Sequence, residues 1–125
     1  MTSAVNPERG PSRNVLESVS CFDRDLVART RRSLPDANGV QRAAGVFSAL
    51  SDATRLRIAL ALHHGGEACV SDICHIVDSS ASSVSQHLRR LREASVITSR
   101  REGKRIFFAL RDPFVGGLVA RLIDR

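Results

Sequence analysis

Between Ser79 and Arg105 the chain reads SSASSVSQHLRRLREASVITSRREGKR. Ser82, Ser83, Ser85, Gln86 and His87 carry hydroxyl, amide and imidazole groups that can exchange hydrogen bonds with base edges. Arg89, Arg90, Arg101, Lys104 and Arg105 are cations of the kind that hold phosphates and so fix a protein's register on a duplex. Ser82, Ser85, Gln86 and His87 are the expected readers of a major groove. The chemistry these residues offer is recognition of double-stranded DNA, not bond breaking.

Such groups need a rigid carrier. Val84, Leu88 and Leu91 fall at i, i+4 and i+7, the buried stripe of a helix whose other face carries the polar set. Ser80 is placed to cap that helix, because its hydroxyl can accept from a free N–H of the first turn. The helix is predicted to end near Ala94–Ser95. Val96–Ser99 and Ile106–Leu110 are β-rich, and Glu102-Gly103 between them reads as a hairpin turn. The predicted fold is mainly α with a small β-hairpin wing: a winged helix-turn-helix, working as a homodimer.

Charge follows the same plan. The chain has 19 Lys and Arg against 13 Asp and Glu, a formal net charge of +6. Arg89, Arg90, Arg92, Arg100, Arg101, Lys104, Arg105 and Arg111 lie between residues 81 and 111, opposed there only by Glu93 and Glu102. The whole excess therefore sits on the predicted helix and wing, the footprint of a phosphate-binding surface. A solvated basic face without a partner is the plainer alternative.

The 125 residues suffice for one domain. Residues 1–14, with Pro7, Gly10 and Pro11, are expected to be a disordered tail, residues 15–36 an arm and helix, and residues 37–125 the winged domain with a C-terminal dimerisation helix. With no Trp or Tyr and five Phe, the core must be aliphatic. No stretch approaches a membrane span and the N-terminus has no apolar h-region, so a cytoplasmic location without membrane contact is expected. Three cysteines, an odd count, argue for reduced thiols.

Along the chain, Phe22, Leu26 and Val27 suggest a weakly amphipathic helix within Asn14–Leu34, and Val40, Ala43, Ala44, Phe47 and Leu50 a second. Asp52 is a good cap for a third, Ala53–His64, with Leu56, Ala59, Leu60 and His63 on one side and Ile58 and Leu62 widening it. Gly65-Gly66 ends it. Glu67–Val70 can pair with the wing as a third strand, and Ser71 or Asp72 can cap a brief helix through Val77. Asp112-Pro113 starts a last helix whose face of Val115, Leu118, Val119, Leu122 and Ile123 is expected at a dimer interface, or else on its own wing.

The runs LSDATRLRIALAL, EACVSDI and SSVSQHLRRLREASVITSRREGKRIFFAL together resemble the ArsR/SmtB family of bacterial metal-sensing winged-helix repressors, over roughly residues 40–124. The resemblance implies a homodimer joined through its terminal helices, bound to operator DNA without metal and released by metal. CFDRDLVARTRRSL is similar to the N-terminal arm of the CadC-like branch, and EACVSD to its Cys-Val-Cys segment. Cys21 and Cys69 match cysteines there; Glu17 and Ser71 stand where two others would be. Cys74 adds a third thiol one helical turn on. The resemblance thus implies a soft divalent effector, Cd, Pb or Zn, at Cys21, Cys69 and Cys74, with Glu17, Asp72, His75 or water as a possible fourth ligand. Cys69 and Cys74 can converge only if Cys69 precedes the helix, since five residues within one helix set them about 140° apart. Cys74 is alternatively a small buried hydrophobe.

The family's other frequent site, on the last helix, is expected to be absent. Asp112 matches its first ligand, but Phe114 replaces the histidine and the sequence stops where the later ligands would stand. His63 is expected to pack, and His64 to face solvent. The rival function on the same fold is a redox or persulfide switch through the same cysteines. A thiol enzyme built on Cys69 or Cys74 with His75 lacks an orienting third group.

Overall fold

The computed structural model describes residues 21–124. The chain divides into two units, Met1–Asp36 and Ala37–Arg125. The expected tail over 1–14, the start of the first helix and Glu17 lie outside the described residues.

In the first unit, α1 spans Arg24–Ser33, and the Asp23 carboxylate caps it by accepting from the Leu26 N–H at 3.0 Å. Asp25 in its first turn and Arg31 and Arg32 in its last complement the helix dipole. None of its residues is buried.

The second unit holds α2 (Ala37–Ala49), α3 (Ala53–Gly65), β1 (Ala68–Cys69), α4 (Val70–Val77), α5 (Ala81–Glu93), β2 (Ile97–Glu102), β3 (Arg105–Leu110) and α6 (Pro113–Ile123). The three strands form an antiparallel sheet in the order β1-β3-β2. This is a winged helix-turn-helix: α4 and α5 form the two-helix motif, and β2–β3 the wing.

Three expected caps are present. Asp52 accepts from the Arg55 N–H at 3.0 Å, Ser80 from the Ser83 N–H at 3.2 Å, and Asp112 from the Phe114 N–H at 2.9 Å with Pro113 at the first helical position. Gly66, at φ 88°, closes α3 by donating its N–H to the Leu62 carbonyl at 2.8 Å. The end of α5 uses Ser95 at φ 62° where glycine is usual. Ser95 and Val96 donate N–H bonds to the Arg92 and Leu91 carbonyls, both at 2.9 Å, and Val96 and Leu91 are buried. That is a Schellman motif with its apolar clasp, which turns the chain straight into β2.

Three details differ from expectation. α4 begins at Val70 with Cys69 as its N-cap residue, not at Ser71 or Asp72. Asp72 acts from inside the helix, at its third position, where its carboxylate accepts the Cys69 N–H at 3.2 Å. The hairpin turn is Gly103-Lys104, with Gly103 at φ 62°, because β2 continues through Glu102 to pair with Arg105. On α3 the deepest residues are Ile58, Ala59 and Leu62, while Leu56 and Leu60 are only partly buried. The helix touches α4, α5, α6 and β3, so its covered face is wider than one amphipathic stripe.

Ile73, Val77, Val84, Leu88 and Leu91 from the two-helix motif meet Val96, Ile97, Phe108 and Val119 around α3. α6 packs on α3 through Gly116 and Val119, both buried. Val115 and Leu118 are partly covered, but its outer apolar residues stay open: Phe114 is 72% exposed, Ile123 60% and Leu122 57%, with Phe47 of α2 at 58%. Together they line an almost wholly apolar cleft of about 420 Å³ between α2 and α6.

Candidate nucleic-acid interface and thiol site

Burying Val84, Leu88 and Leu91 turns the opposite side of α5 outward. Ser82, Ser85, Gln86 and Arg89 are exposed on that side, and Ser83, His87 and Arg90 are half-buried. Among the described residues, the side chains of Ser82, Ser85, Gln86 and Arg89 engage no other side chain, so their polar atoms are available to a partner.

His87 and Arg90 are placed differently. The His87 ring nitrogen Nδ1 lies 3.3 Å from an Arg55 guanidinium nitrogen and 3.9 Å from Asp52 Oδ2. Arg90 donates to the Ser48 hydroxyl at 3.2 Å, and Arg55 Nε donates to the Ala49 carbonyl at 2.5 Å. Both residues thus tie α5 to the α2–α3 corner and set the angle at which the helix is presented. The Asp52 carboxyl is held below its ordinary range, first by the Arg55 backbone N–H it caps and then by the charges of Arg55 and His87, against a desolvation effect of opposite sign.

The wing cations also separate into two kinds. Arg100 grips Glu67 through two bonds of 2.6 and 2.7 Å and reaches Glu102 at 2.9 Å. Its guanidinium lies 4.9 Å from the Phe107 ring centre, and that of Arg105 lies 5.1 Å from the same ring. These ion pairs push the Arg100 pKa further up. Arg101 and Lys104 project from the exposed strand end and turn, and among the described residues their side chains take no partner.

Arg105 has a second contact. Its guanidinium donates to Cys69 Sγ at 3.2 Å, and the Cys69 thiol in turn donates to Asp72 Oδ2 at 3.2 Å. The pairing register explains this. Cys69 stands opposite Phe107, and Phe107 opposite Arg100, so the three share one face of the sheet. Arg105, two residues before Phe107, shares that face too. The Asp72 carboxyl is held below its ordinary range by the Cys69 thiol hydrogen bond first, then the Cys69 backbone N–H, with the charges of Arg105 and His75 adding to it. The pinning of Arg100 and the Arg105–Cys69–Asp72 chain were not read from the sequence. The signal lay in the Glu67–Val70 segment, of which Ala68–Cys69 forms the edge strand β1 against β3.

Cys69 is buried and Cys74 half-buried, the latter packed against the apolar core. Cys69 precedes α4, the condition under which the two thiols can converge. Cys21 belongs to the first unit and is exposed. Among the described residues no group of three or more His, Cys, Asp or Glu side chains is arranged to hold a metal ion. Beside Cys69 Sγ the carboxylate oxygen Asp72 Oδ2 stands at 3.2 Å, a hard donor atom next to a soft one. His63 packs against α6, and His64 is exposed. No described helix is long and apolar enough to cross a membrane.

The fold and this exposed helix-and-wing surface define a DNA-binding transcriptional regulator rather than an enzyme. Residues 52–99 match the arsR family of bacterial regulatory proteins. A cadmium resistance transcriptional regulatory protein CadC homolog of Staphylococcus aureus is 39% identical over 103 residues, 82% of this chain and 84% of that protein. The arsenical resistance operon repressor of Escherichia coli is 39% identical over 79 residues, 63% of this chain and 67% of that protein. A homodimeric winged helix-turn-helix DNA-binding domain of Mycobacterium bovis, a possible ArsR-family transcriptional regulator, superimposes with a TM-score of 0.64 at 27% identity, covering 72% of this chain and 84% of that one. The chain belongs to the ArsR/SmtB family of winged-helix regulators, on its CadC-like side.

Proposed function

We propose that this protein is a homodimeric repressor that occupies operator DNA while its thiols are free. It leaves when a thiophilic ion such as Cd(II), Pb(II) or Zn(II) is held by Cys69, with Cys21 and Cys74 as the further sulfur ligands. The observation that carries the reading is the position of Cys69. Its sulfur joins the start of α4, where the DNA-reading motif begins, to the wing through Arg105, and a carboxylate oxygen stands 3.2 Å away. The names of the cadmium resistance regulatory protein and the arsenical resistance operon repressor among its relatives support a metal effector.

In this reading Ser82, Ser83, Ser85 and Gln86 face the major groove, and Arg89, Arg101 and Lys104 hold phosphates. His87 and Arg90 set the angle of the helix and approach the backbone from its edge. The apolar cleft between α2 and α6 is covered by a second copy. An exposed patch of that composition on a soluble domain marks an interface, and two recognition helices are what a two-half-site operator requires. Metal binding then acts by linkage, favouring a dimer geometry that no longer fits successive grooves.

Titrating Cd(II) into the reduced protein tests the sensor directly. A sulfur-to-metal charge-transfer band should grow in the near ultraviolet while protons are released, as thiols become thiolates. Cys69→Ser should remove most of the band. A flat spectrum in the wild type would overturn the metal reading.

A further inference from the structure

We infer that Arg55 fixes the tautomer of His87, so that the ring presents its Nε2–H as a permanent donor to a phosphate oxygen of the operator. This rests on the reading of α5 as the DNA-facing helix and is independent of what the thiols bind. His87 Nδ1 lies 3.3 Å from an Arg55 guanidinium nitrogen. A guanidinium offers only donors and keeps its proton in proteins. The contact is therefore a hydrogen bond only if Nδ1 holds a lone pair. A proton on Nδ1 would set two donors against each other, and Asp52 Oδ2, 3.9 Å away, is too far to accept it. In the neutral imidazole the proton is then on Nε2.

Arg55 is firmly aimed. Its Nε donates to the Ala49 carbonyl at 2.5 Å, and its backbone N–H is held by the Asp52 cap at 3.0 Å. The guanidinium cannot swing from the ring without losing the Ala49 bond. The far end of the ring is open. Among the described residues, no buried side-chain nitrogen or oxygen lacks a hydrogen-bond partner. Nε2 of the half-buried His87 has no partner, so this atom reaches solvent.

His87 stands at the border of the outward side of α5, against the α2–α3 corner. A donor there meets the sugar-phosphate backbone at the edge of the groove rather than the base edges on its floor. Phosphate oxygens only accept. A ring whose outer nitrogen always donates suits them, whereas the other tautomer would turn a lone pair toward them. Arg55 is thus a positioning residue that acts through the ring without touching the DNA.

The test uses full-length reduced protein with a chelator present, at about pH 8.5, above the ordinary histidine range. Long-range proton–nitrogen correlation spectra report the ring tautomer, with His87 assigned by its loss in His87→Asn. The wild type should show His87 protonated at Nε2 alone. In Arg55→Met, Asp52 is the group left beside Nδ1, so the Nδ1–H form should appear. Arg55→Lys, which again offers only donors, should return most of the Nε2–H form.

Affinity is measured on a duplex enriched by the wild-type protein from a random-sequence pool. His87→Asn and His87→Gln leave Arg55 and the core untouched. The Asn oxygen can accept from Arg55, but nothing stands in the place of Nε2, so binding should weaken about tenfold. Gln can put an amide N–H in that place and should bind at least about threefold more tightly than Asn. Both should keep the wild-type base preference and salt slope, since the lost donor is neutral. A wild-type ring protonated at Nδ1, or a tautomer unmoved in Arg55→Met, would overturn the role of Arg55. Wild-type affinity in His87→Asn would overturn the donor, and a changed base preference would overturn phosphate as its partner. A wild type that enriches no duplex would remove the DNA-facing reading of α5 and this inference together.

Discussion

Gly116 of α6 lies so close to His63 of α3 that a β-carbon built on the glycine would stand 2.5 Å from His63 Nδ1 and 2.6 Å from its β-carbon. The last helix is therefore fixed to the central helix by a contact that admits hydrogen and nothing larger. Part of the obstruction is the histidine's own β-carbon, which no rotamer can move. Gly116→Ala must then separate α6 from α3, at a cost of about 1–3 kcal/mol. Urea unfolding at fixed protein concentration measures it. An unchanged midpoint would show that the helices slide apart freely.

The same helix presents its other side to solvent. Phe114 and Leu122 add little to the fold of one subunit but line the apolar cleft. Phe114→Asp with Leu122→Asp should convert a dimer into a folded monomer, because each charge would be desolvated on association. Sedimentation velocity at micromolar concentration checks this. A wild type that sediments as a monomer would contradict both the dimer and the two-half-site operator.

The exposed residues of α5 and the wing should contribute in different ways. Arg101→Ala should weaken binding to all duplexes alike and lower the salt slope by roughly one. Gln86→Ala should relax discrimination at one base step by about 1–3 kcal/mol. Competition binding with single-base operator variants at two salt concentrations separates the two effects. A base preference untouched by Gln86→Ala would remove Gln86 from the reading set.

Asp52 links stability to pH. Its carboxyl is held below the ordinary value of 3.8 in the folded protein, chiefly by the Arg55 N–H. A group depressed by folding stabilises the native state at pH values above its unfolded pKa, and that contribution is lost as pH falls through the folded pKa. Stability should therefore decline on acidification below about pH 4. Asp52→Asn keeps a helix cap but cannot titrate, so it should flatten this part of the acid limb. Denaturant midpoints from pH 7 down to pH 3 give the comparison; parallel curves for the two proteins would exclude Asp52 as a contributor.

Much of the molecule was legible one helix at a time. Asp52, Ser80 and Asp112 announce helix starts because capping is local chemistry, and the Val84–Leu88–Leu91 stripe fixes which side of α5 faces out. What escaped was set by pairing between distant segments. A third strand beside the wing is legible in Glu67–Val70, but nothing in the spacing of Arg100, Arg105 and Cys69 tells the register, with Cys69 opposite Phe107, that gathers them on one face of the sheet. His87 reads as a base contact by its place on the polar side of α5, but it is drawn toward Asp52 and Arg55 at the start of another helix. The depth of Ile58 and Leu62 likewise depended on how many neighbours α3 acquires.

Operator binding by the reduced protein, followed by fluorescence anisotropy with and without Cd(II) for the wild type and Cys69→Ser, tests the central claim most directly. The account predicts tight metal-free binding, release of the wild type by Cd(II), and a Cys69→Ser protein that binds DNA when metal-free but is no longer released. Release of Cys69→Ser at the same Cd(II) concentration as the wild type would contradict it.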